Sequence, residues 1–310
     1  MKFRTKLAGL ASASLLAGSA WLVAGQNSPP GQPVSMLVTL EARRGKQIPS
    51  IEPNDLKLSE AGGNRPITSL TSLRGSSLQL LLLIDNSSQS SFDTEIGALK
   101  QWVNSLPANT QIAIAYMQNG MAVMSHDYTA DHAAAANSIR LTMGRAGADV
   151  SPYDSLSEAI KKWPQSQAKR REVLMISSGV EALGGGIAPE NPYVNSSIAD
   201  AQRAGVPVYT IYNPLAGHSA HTLWRISYGQ NFLSQLSDET GGEAYITTIS
   251  APVSFQPFLE NFSVQLENQY QLTFVAKPEK KSGLQPVKVT VPEKTVDVVT
   301  PSKVFVKASL

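Results

Sequence analysis

Short apolar runs alternate with segments of helical period through the middle of the chain, over residues 78–267. The first run, Leu78–Ile84 (LQLLLLI), has almost no polar position, which is typical of a strand buried on both faces of a parallel sheet. Apolar runs at 111–117, 173–177 and 206–212 have the same character. Strands that alternate with helices predict a doubly wound, mostly parallel α/β sheet of Rossmann-like type with crossover helices.

The crossover helices are predicted from apolar spacing and from the residues that end them. An Ala-rich helix is predicted over Asp131–Leu141, and a helix over Phe232–Thr240 is closed by Gly241 and Gly242. A further helix, 255–266, follows before the pattern changes. These segments supply the connections that a parallel sheet requires.

Both flanks of this region carry a β pattern without helical period. Val34–Leu40 (VSMLVTL) is a predicted strand, and the segment after Tyr270 holds short alternating strands separated by Pro and Gly. Neither set of strands can bury one face of a stable sheet alone. We therefore predict that segments 34–75 and 268–310 form one small antiparallel β domain, into which an α/β domain of residues 76–267 is inserted.

The first residues have the organisation of a secretory signal peptide, 1–25. Basic residues within Met1–Lys6 precede an apolar, Ala- and Leu-rich run over 7–24, and residues 23–25 (VAG) suit a signal peptidase. An uncleaved membrane anchor is the alternative, because the run approaches the length that spans a bilayer. We expect cleavage, a flexible Pro-containing leader at 26–33 and no later membrane span, which indicates a secreted or periplasmic bacterial protein.

Composition narrows the class of protein. The chain has 310 residues, of which 42% are apolar, and this is enough for one large domain or two modest ones. Its net charge of +2 argues against a nucleic-acid partner. Because it contains no cysteine, a secreted form must be stabilised by its core, which favours a bacterial periplasm or exterior over a small disulfide-linked domain.

Candidate chemistry lies where the first buried strand ends, in segment 85–89 (DNSSQ). Ligands of open α/β sheets bind at the carboxyl ends of the strands. Asp85 and Ser87 match the first Asp and first Ser of an Asp-x-Ser-x-Ser motif, so the segment resembles the end of the first strand in von Willebrand factor A domains. The resemblance implies a metal-ion-dependent adhesion site, where oxygen ligands hold Mg²⁺ and a carboxylate of the partner completes the coordination.

Transferred residue by residue, the resemblance implies a degenerate form of that site. Gln89 stands in place of the second Ser of the motif, and Ser178 in Ile176–Gly179 (ISSG) stands in place of an Asp. Ser151, ahead of Tyr153–Asp154, is the hydroxyl nearest to the position of the family's Thr. The affinity for a divalent ion follows the charge and number of its ligands. We therefore expect either no cofactor or weakly bound Mg²⁺ or Mn²⁺.

The likeness to von Willebrand factor A domains covers roughly residues 76–266. It includes Gly205–Tyr209 (GVPVY), which opens a strand, and the turn Thr240–Gly242 (TGG). The flanking β segments resemble those of a group of secreted acidobacterial proteins related to von Willebrand factor A, with Asn268–Leu272 (NQYQL) at the start of the C-terminal segment. The resemblance implies a binding edge on the α/β domain.

Further residues at the same edge form a candidate partner-binding surface. The loop after the third buried strand holds an HxxH pair, which we interpret as part of a solvated loop, because no cysteine and no positioned third ligand completes a zinc site. Asp149 is the one obvious spare carboxylate near the candidate metal site. The residues assigned to this surface are Asn86, Asp149, Glu181, His218, His221 and Trp224.

These patterns favour a non-enzymatic adhesion or binding module that engages a protein or a surface polymer. One alternative is a structural or assembly subunit that acts through its β flanks. A second is a serine hydrolase of the penicillin-binding type, suggested by Ser166–Lys169 (SQAK) and Lys281–Gly283 (KSG). The first tetrad follows Pro164 and runs into a basic, solvated connection, where the lysine is not desolvated, so we predict no catalysis.

Restoring the ligands that the family carries tests the degenerate site. Ser178→Asp combined with Gln89→Ser returns a carboxylate and a hydroxyl to two positions that depart from the motif. We expect this variant to gain a Mg²⁺-dependent rise in melting temperature, because a ligand that binds only the native state stabilises it, whereas the wild type responds weakly or not at all. Scanning calorimetry with and without Mg²⁺ measures the effect. No gain would show that the loop before Tyr153 differs in shape from the family's loop.

Overall fold

The computed structural model describes residues 31–43, 48–88, 91–143, 151–181, 190–214 and 222–308. In these ranges the strands are β1 (Gln32–Ala42), β2 (Lys57–Glu60), β3 (Gly63–Arg65), β4 (Ile67–Ser72), β5 (Leu78–Asp85), β6 (Thr110–Gln118), β7 (Met121–Thr129), β8 (Arg170–Ser177), β9 (Val208–Tyr212), β10 (Ala244–Tyr245), β11 (Gln269–Ala276), β12 (Gly283–Thr290), β13 (Val296–Val299) and β14 (Lys303–Val306). The α-helices are α1 (Ser91–Ser105), α2 (His132–Asn137), α3 (Pro152–Lys161), α4 (Pro192–Ala204), α5 (Leu223–Thr240) and α6 (Gln256–Glu267).

A six-stranded sheet forms the centre of the fold, in the order β10-β9-β8-β5-β6-β7. All its pairings are parallel except that of β6 with the edge strand β7. Every residue of β5 is buried, and its side chains alternate between two core layers, with Leu82 on one face and Leu83 on the other. Helices α1, α2 and α6 cover the first face, and α3, α4 and α5 cover the second. The predicted doubly wound α/β sheet is confirmed.

The two ends of the chain build a pair of antiparallel sheets, ordered β13-β1-β11-β4 and β14-β12-β2-β3. Strand β1 pairs with β11, so that Val38 lies opposite Tyr270, and β2 pairs with β12. The two sheets share one hydrophobic core, to which Met36, Leu58 and Phe274 contribute. The predicted pairing of the N- and C-terminal segments in antiparallel sheets, with the α/β region between them in the sequence, is confirmed.

The N-terminal boundary of this β domain lies slightly earlier than predicted. Strand β1 begins at Gln32, which pairs with Ala276, so the end of the predicted leader 26–33 belongs to the sheet. The predicted signal peptide, 1–25, lies outside the described residues. Among the residues that the structure describes, no helix has both the length and the apolar character needed to cross a membrane.

Helix α2 is shorter than the predicted helix 131–141 and ends at Asn137. The reason is a contact with β6, because the hydroxyl of Tyr116 donates to the carbonyl of Arg140 and accepts from its N–H, both at 2.8 Å. These bonds occupy the backbone groups that a longer helix would use. The segment after α2 is therefore held at Tyr116, near the end of β6.

Buried polar contacts join the six-stranded sheet to the β domain. Arg170 Nη1 donates to the carbonyl of Leu266 at 2.5 Å and to Gln269 Oε1. Gln269 Nε2 donates to Glu172 Oε2 at 3.0 Å and to the hydroxyl of Tyr209 at 3.2 Å. Burial raises the pKa of Glu172, and the charge of Arg170 and the hydrogen bond from Gln269 oppose that rise. Because a broken partner here would leave a buried polar group unpaired, this network fixes where β11 starts relative to β8.

Glu41 on β1 is expected to make stability depend on pH. Burial, with repulsion from Glu243 and Asp297, raises the pKa of Glu41 from 4.5 to about 7. Between these values the folded chain keeps a proton that the unfolded chain has lost, so the free energy of unfolding falls as the pH rises through this window. Glu41→Gln should remove this fall and should be more stable than the wild type at about pH 8, but not at about pH 4.

Urea unfolding at a series of pH values measures this difference. Glu279→Gln, which removes one carboxylate from the loop between β11 and β12, is a control for the change in net charge. The prediction would be contradicted if the unfolding free energies of wild type and Glu41→Gln changed in parallel between about pH 4.5 and pH 7.

Candidate functional site

The loops after β5 and β8 lie side by side, because these strands are parallel neighbours with Ile84 opposite Ile176. Asp85, the last residue of β5, is fully buried. Its Oδ1 accepts hydrogen bonds from the N–H of Ser87 at 2.9 Å and from the hydroxyl of Ser87 at 2.6 Å. Its Oδ2 accepts a hydrogen bond from the hydroxyl of Ser177 at 3.1 Å.

The charge of Asp85 is governed by burial. Burial raises the pKa of Asp85, and hydrogen bonds from Ser87, Ser177 and the N–H of Ser178 oppose that rise. A carboxylate removed from water is stable only where the protein supplies its hydrogen-bond partners. Both oxygens of Asp85 have such partners within the two loops, so the group is held in one position.

Ser151 and Glu181 are tied to the loop after β8. The hydroxyl of Ser151 caps α3 by accepting from the N–H of Asp154 at 3.2 Å, and it donates to Glu181 Oε2 at 2.6 Å. The hydroxyl of Tyr153 donates to the carbonyl of Gly179 at 2.9 Å. Burial, with the negative charge of Glu181, raises the pKa of Tyr153 well above its ordinary value. The start of α3, where the resemblance places a metal-binding hydroxyl, is thereby connected to the end of β8.

Two glycines allow the backbone of the loop after β8 to approach α5 closely. Gly179 has a φ of +70°, in the left-handed region, and a Cβ there would lie 2.2 Å from the carbonyl oxygen of Gly229. A Cβ on Gly229 would in turn lie 2.3 Å from the carbonyl oxygen of Ser178. Only glycine at both positions permits this approach without a shift of the backbone.

Asn86 is buried, with 7% of its surface exposed. Its Oδ1 accepts hydrogen bonds from Arg140 Nη1 and from the N–H of Met143, both at 3.1 Å. The guanidinium carbon of Arg140 lies 3.9 Å from the centre of the Tyr116 ring. The sequence places Asn86 on a partner-binding surface, whereas in the structure its amide serves internally to hold the segment that follows α2.

Apolar side chains are exposed on two segments that contact the site. Met143, whose N–H binds Asn86, is 76% exposed. Leu223 and Trp224, in the first turn of α5, are 69% and 71% exposed. The ring of Trp224 stacks on Tyr228, with 6.3 Å between the ring centres. Leu223 and Trp224 are neighbours in sequence on one helix, and exposed apolar side chains that adjoin each other are a common feature of interaction sites.

Helix α5 connects this aromatic pair to the buried site. The helix is longer than the predicted 232–240, because the buried residues Ile226 and Gly229 continue its packed face towards the N-terminus. Trp224 and Gly229 therefore lie on one helix, the first exposed and the second against the loop after β8. The exposed indole is carried by a rigid element and not by a loop.

The sequence identified some members of the site and missed others. Gln89, Asp149, His218 and His221 lie outside the described residues, so their predicted roles stay predictions. Ser177, which binds Asp85, was not identified, although its position at the end of a buried strand beside the first one is a usable signal. Gly229 gave no signal, because its role depends on contact with a distant loop.

The candidate ligands that the structure describes are engaged in hydrogen bonds within the protein. Mg²⁺ is usually held by carboxylates and other oxygens that are free to bind it. Here both oxygens of Asp85 accept hydrogen bonds, and Ser178 presents a hydroxyl where the family has a carboxylate. In the part of the chain that the structure describes, no three acidic, His or Cys side chains are grouped so that they could hold a metal ion.

Comparison with known proteins gives structural neighbours only. No protein-family profile and no curated protein matches the sequence. An aerotolerance-related membrane protein from Bacteroides fragilis is 13% identical, with a TM-score of 0.41 over 61% of this chain and 98% of that one. The N-terminal domains of the type V pili tip protein Mfa5 from Porphyromonas gingivalis are 12% identical, with a TM-score of 0.44 over 91% of this chain and 67% of that one. The SpRpn10 VWA domain is 11% identical, with a TM-score of 0.40 over 60% of this chain and 95% of that one.

Identities and TM-scores as low as these add nothing to the geometry described above. The chain's own features carry the assignment of the inserted domain, namely the strand order β10-β9-β8-β5-β6-β7 and the position of Asp85 at the end of β5. The structure confirms the doubly wound α/β sheet of this domain, and its likeness to von Willebrand factor A domains stays a resemblance.

Gly229→Ala should destabilise the site. The added methyl would meet the carbonyl oxygen of Ser178 at 2.3 Å, so the loop or the helix must shift, and overpacking of this kind costs about 1–3 kcal/mol of unfolding free energy. Gly97→Ala in α1 is the matched control, because nothing lies within 4 Å of its Cβ, and it should be neutral or stabilising by about 0.5–1 kcal/mol. Chemical denaturation measures both variants. An equal effect of the two substitutions would show that the contact with Ser178 is not tight.

Proposed function

We propose that this chain, whose inserted domain has a von Willebrand factor A-like fold, is a non-enzymatic binding module that acts outside the cytoplasm. It engages a protein or a surface polymer through an apolar edge surface, which we define as Leu141, Met143, Leu223 and Trp224. The observation that carries the proposal is the exposure of Trp224 on a helix that packs directly against the buried site.

The chemistry of the apolar edge surface is typical of protein interfaces. Aromatic residues and methionine are enriched in interface cores, and tryptophan is a frequent binding hot spot. Trp224 is stacked on Tyr228, and the backbone of Met143 is held through its N–H by Asn86, so the indole ring and the Met143 backbone are positioned before any partner arrives. Less conformational entropy is then lost on binding.

The same geometry favours binding without a metal ion. The resemblance to von Willebrand factor A domains implies that a carboxylate of the partner completes the coordination of Mg²⁺. Here the carboxylate of Asp85 is fully buried and is satisfied by Ser87 and Ser177. We propose that the degenerate site has become a structural element, which shapes the loops that carry the apolar edge surface.

Catalysis by the Ser-x-x-Lys tetrad is not favoured by its surroundings. Ser166 and Lys169 are both exposed, and the hydroxyl of Ser166 accepts a hydrogen bond from the N–H of Ala168 at 3.0 Å. A serine nucleophile of this type is activated by a desolvated lysine in a buried site. We therefore propose a binding role for the chain and no hydrolytic one.

Location outside the cytoplasm rests on the sequence. Residues 1–25 have the n-region, apolar run and small residues of a signal peptide. A chain without cysteine stabilises its fold by its hydrophobic cores, as the three buried clusters do here. Membership of the secreted acidobacterial group stays a prediction.

Leu223→Ala combined with Trp224→Ala tests the binding role. The immobilised chain would be presented with envelope proteins and with surface glycans of a bacterial host, in buffer with EDTA and in buffer with Mg²⁺. We expect one retained partner whose affinity falls by about 30-fold or more in the double variant, because a hot-spot truncation costs about 2 kcal/mol or more. We expect the affinity of the wild type to be the same in both buffers.

Val264→Ala on α6 is the matched control, because this side chain is also apolar and is 58% exposed. A partner that the double variant binds as well as the wild type does would point to the β flanks, the alternative considered above. A partner that is released by EDTA would contradict the metal-independent mode.

A further inference from the structure

A cleft lies at the amino ends of the strands of the six-stranded sheet, opposite the carboxyl ends where Asp85 lies. This cleft has a volume of about 570 Å³ and is bounded by the start of β8, the end of α4 and strands β1, β11 and β14. Strand β8 has eight residues, so at about 3.3 Å per residue the cleft and the carboxyl edge are roughly 23 Å apart. The volume of the cleft is within the range of small-ligand sites, about 300–1,000 Å³.

All the described charged side chains that line this cleft are basic. The basic side chains that line it are Lys169, Arg170, Arg171, Arg203 and Lys303. No Asp or Glu of the described residues lines it. Lys169 and Lys303 are exposed, and neither has an ion pair with a carboxylate in the part of the chain that the structure describes. A concave surface with one sign of charge attracts ligands of the opposite sign.

Two of the arginines are held in place by neighbouring groups. Arg171 Nη2 donates to the carbonyl of Ala204, in the last turn of α4, at 2.7 Å, and its guanidinium carbon lies 5.8 Å from the centre of the Trp163 ring. Arg203 pairs with Asp200 at 3.3 Å. Because Arg171 is held by these contacts, it would lose little conformational entropy on contact with a ligand.

Arg170 adds an independent observation. Its side chain is 6% exposed, and its Nε has no hydrogen-bond partner among the described residues. A buried N–H of a charged group is costly to leave unpaired. Arg170 lines the cleft, so its positive charge adds to that of the lysines there, while Glu172 Oε1 lies 3.8 Å from its Nη1.

We propose that this basic cleft binds a ligand through an oxyanion group, such as a phosphate, a sulfate or a carboxylate. Arginine matches the paired oxygens of such groups, and lysine contributes a mobile point charge. The group belongs either to a small molecule or to one unit of an anionic polymer. The basic cleft shares no residue with the apolar edge surface, so this site is separate from the binding role proposed above.

Calorimetric titration of the full chain tests the proposal. Inorganic phosphate, sulfate and citrate probe the small-molecule source, and polyphosphate and poly-glutamate probe the polymeric one. We expect binding that weakens with salt and is at least about tenfold weaker in Lys169→Ala combined with Lys303→Ala. Both lysines are exposed, so the variant should keep the melting temperature of the wild type.

Lys288→Ala combined with Lys294→Ala is the matched control, because it removes the same charge from exposed positions outside the cleft. It should bind as the wild type does, and so should Trp224→Ala, which alters only the apolar edge surface. Binding of the small anions assigns the site to a single group, and binding of the polymers alone assigns it to a repeated unit. The proposal is overturned if no probe binds, or if the two lysine pairs weaken binding equally.

Discussion

The central strand β5 is buried on both faces, and the arrangement of its neighbours follows from that constraint. Helices cover each side of the sheet, so Leu78–Ile84 has no position that faces water. Asp85 comes next in the chain and shares that burial. Its carboxylate must then be satisfied by the protein itself, and Ser87 and Ser177 supply the hydrogen bonds. The internal character of this site is thus a consequence of its place at the centre of the sheet.

The β domain depends on both ends of the described chain. Strand β1 is paired on one side by β11 and on the other by β13, so the N-terminal segment is held by strands that follow the whole α/β domain in sequence. Strand β11 begins directly after α6, and Gln269 at that junction bonds Glu172 and Tyr209 of the six-stranded sheet. Packing of α6 and pairing of β11 therefore support each other.

The carboxyl and amino ends of the strands in the six-stranded sheet differ in chemistry. The carboxyl edge has a buried carboxylate surrounded by serines, with exposed apolar residues such as Met143 and Trp224 on the segments that contact it. The amino edge faces the β domain across a cleft lined by basic residues, among them Lys169 and Lys303. One sheet therefore presents two surfaces that suit different ligands, at opposite ends of the same strands.

Periodicity in the sequence determined the fold class, because a run such as Leu78–Ile84 is stable only with apolar layers on both faces, and because strands and helices alternate after it. The flanks were predictable as partners because neither can bury a sheet face alone. Strand β4 was not predicted, since it is an edge strand whose sequence, ITSLTS, is mostly half-buried or exposed and carries a weak pattern.

The sequence also marked Asp85 and Ser87, because a motif at a strand end is local. Only the tertiary structure decided that Ser177 completes the site, that Asn86 is turned inward and that Gly229 seats the loop after β8. Ser177 and Asp85 are 92 residues apart, and no local pattern encodes which distant side chains meet. The basic cleft has the same origin, because it exists only where β8 and α4 face strands from both ends of the chain.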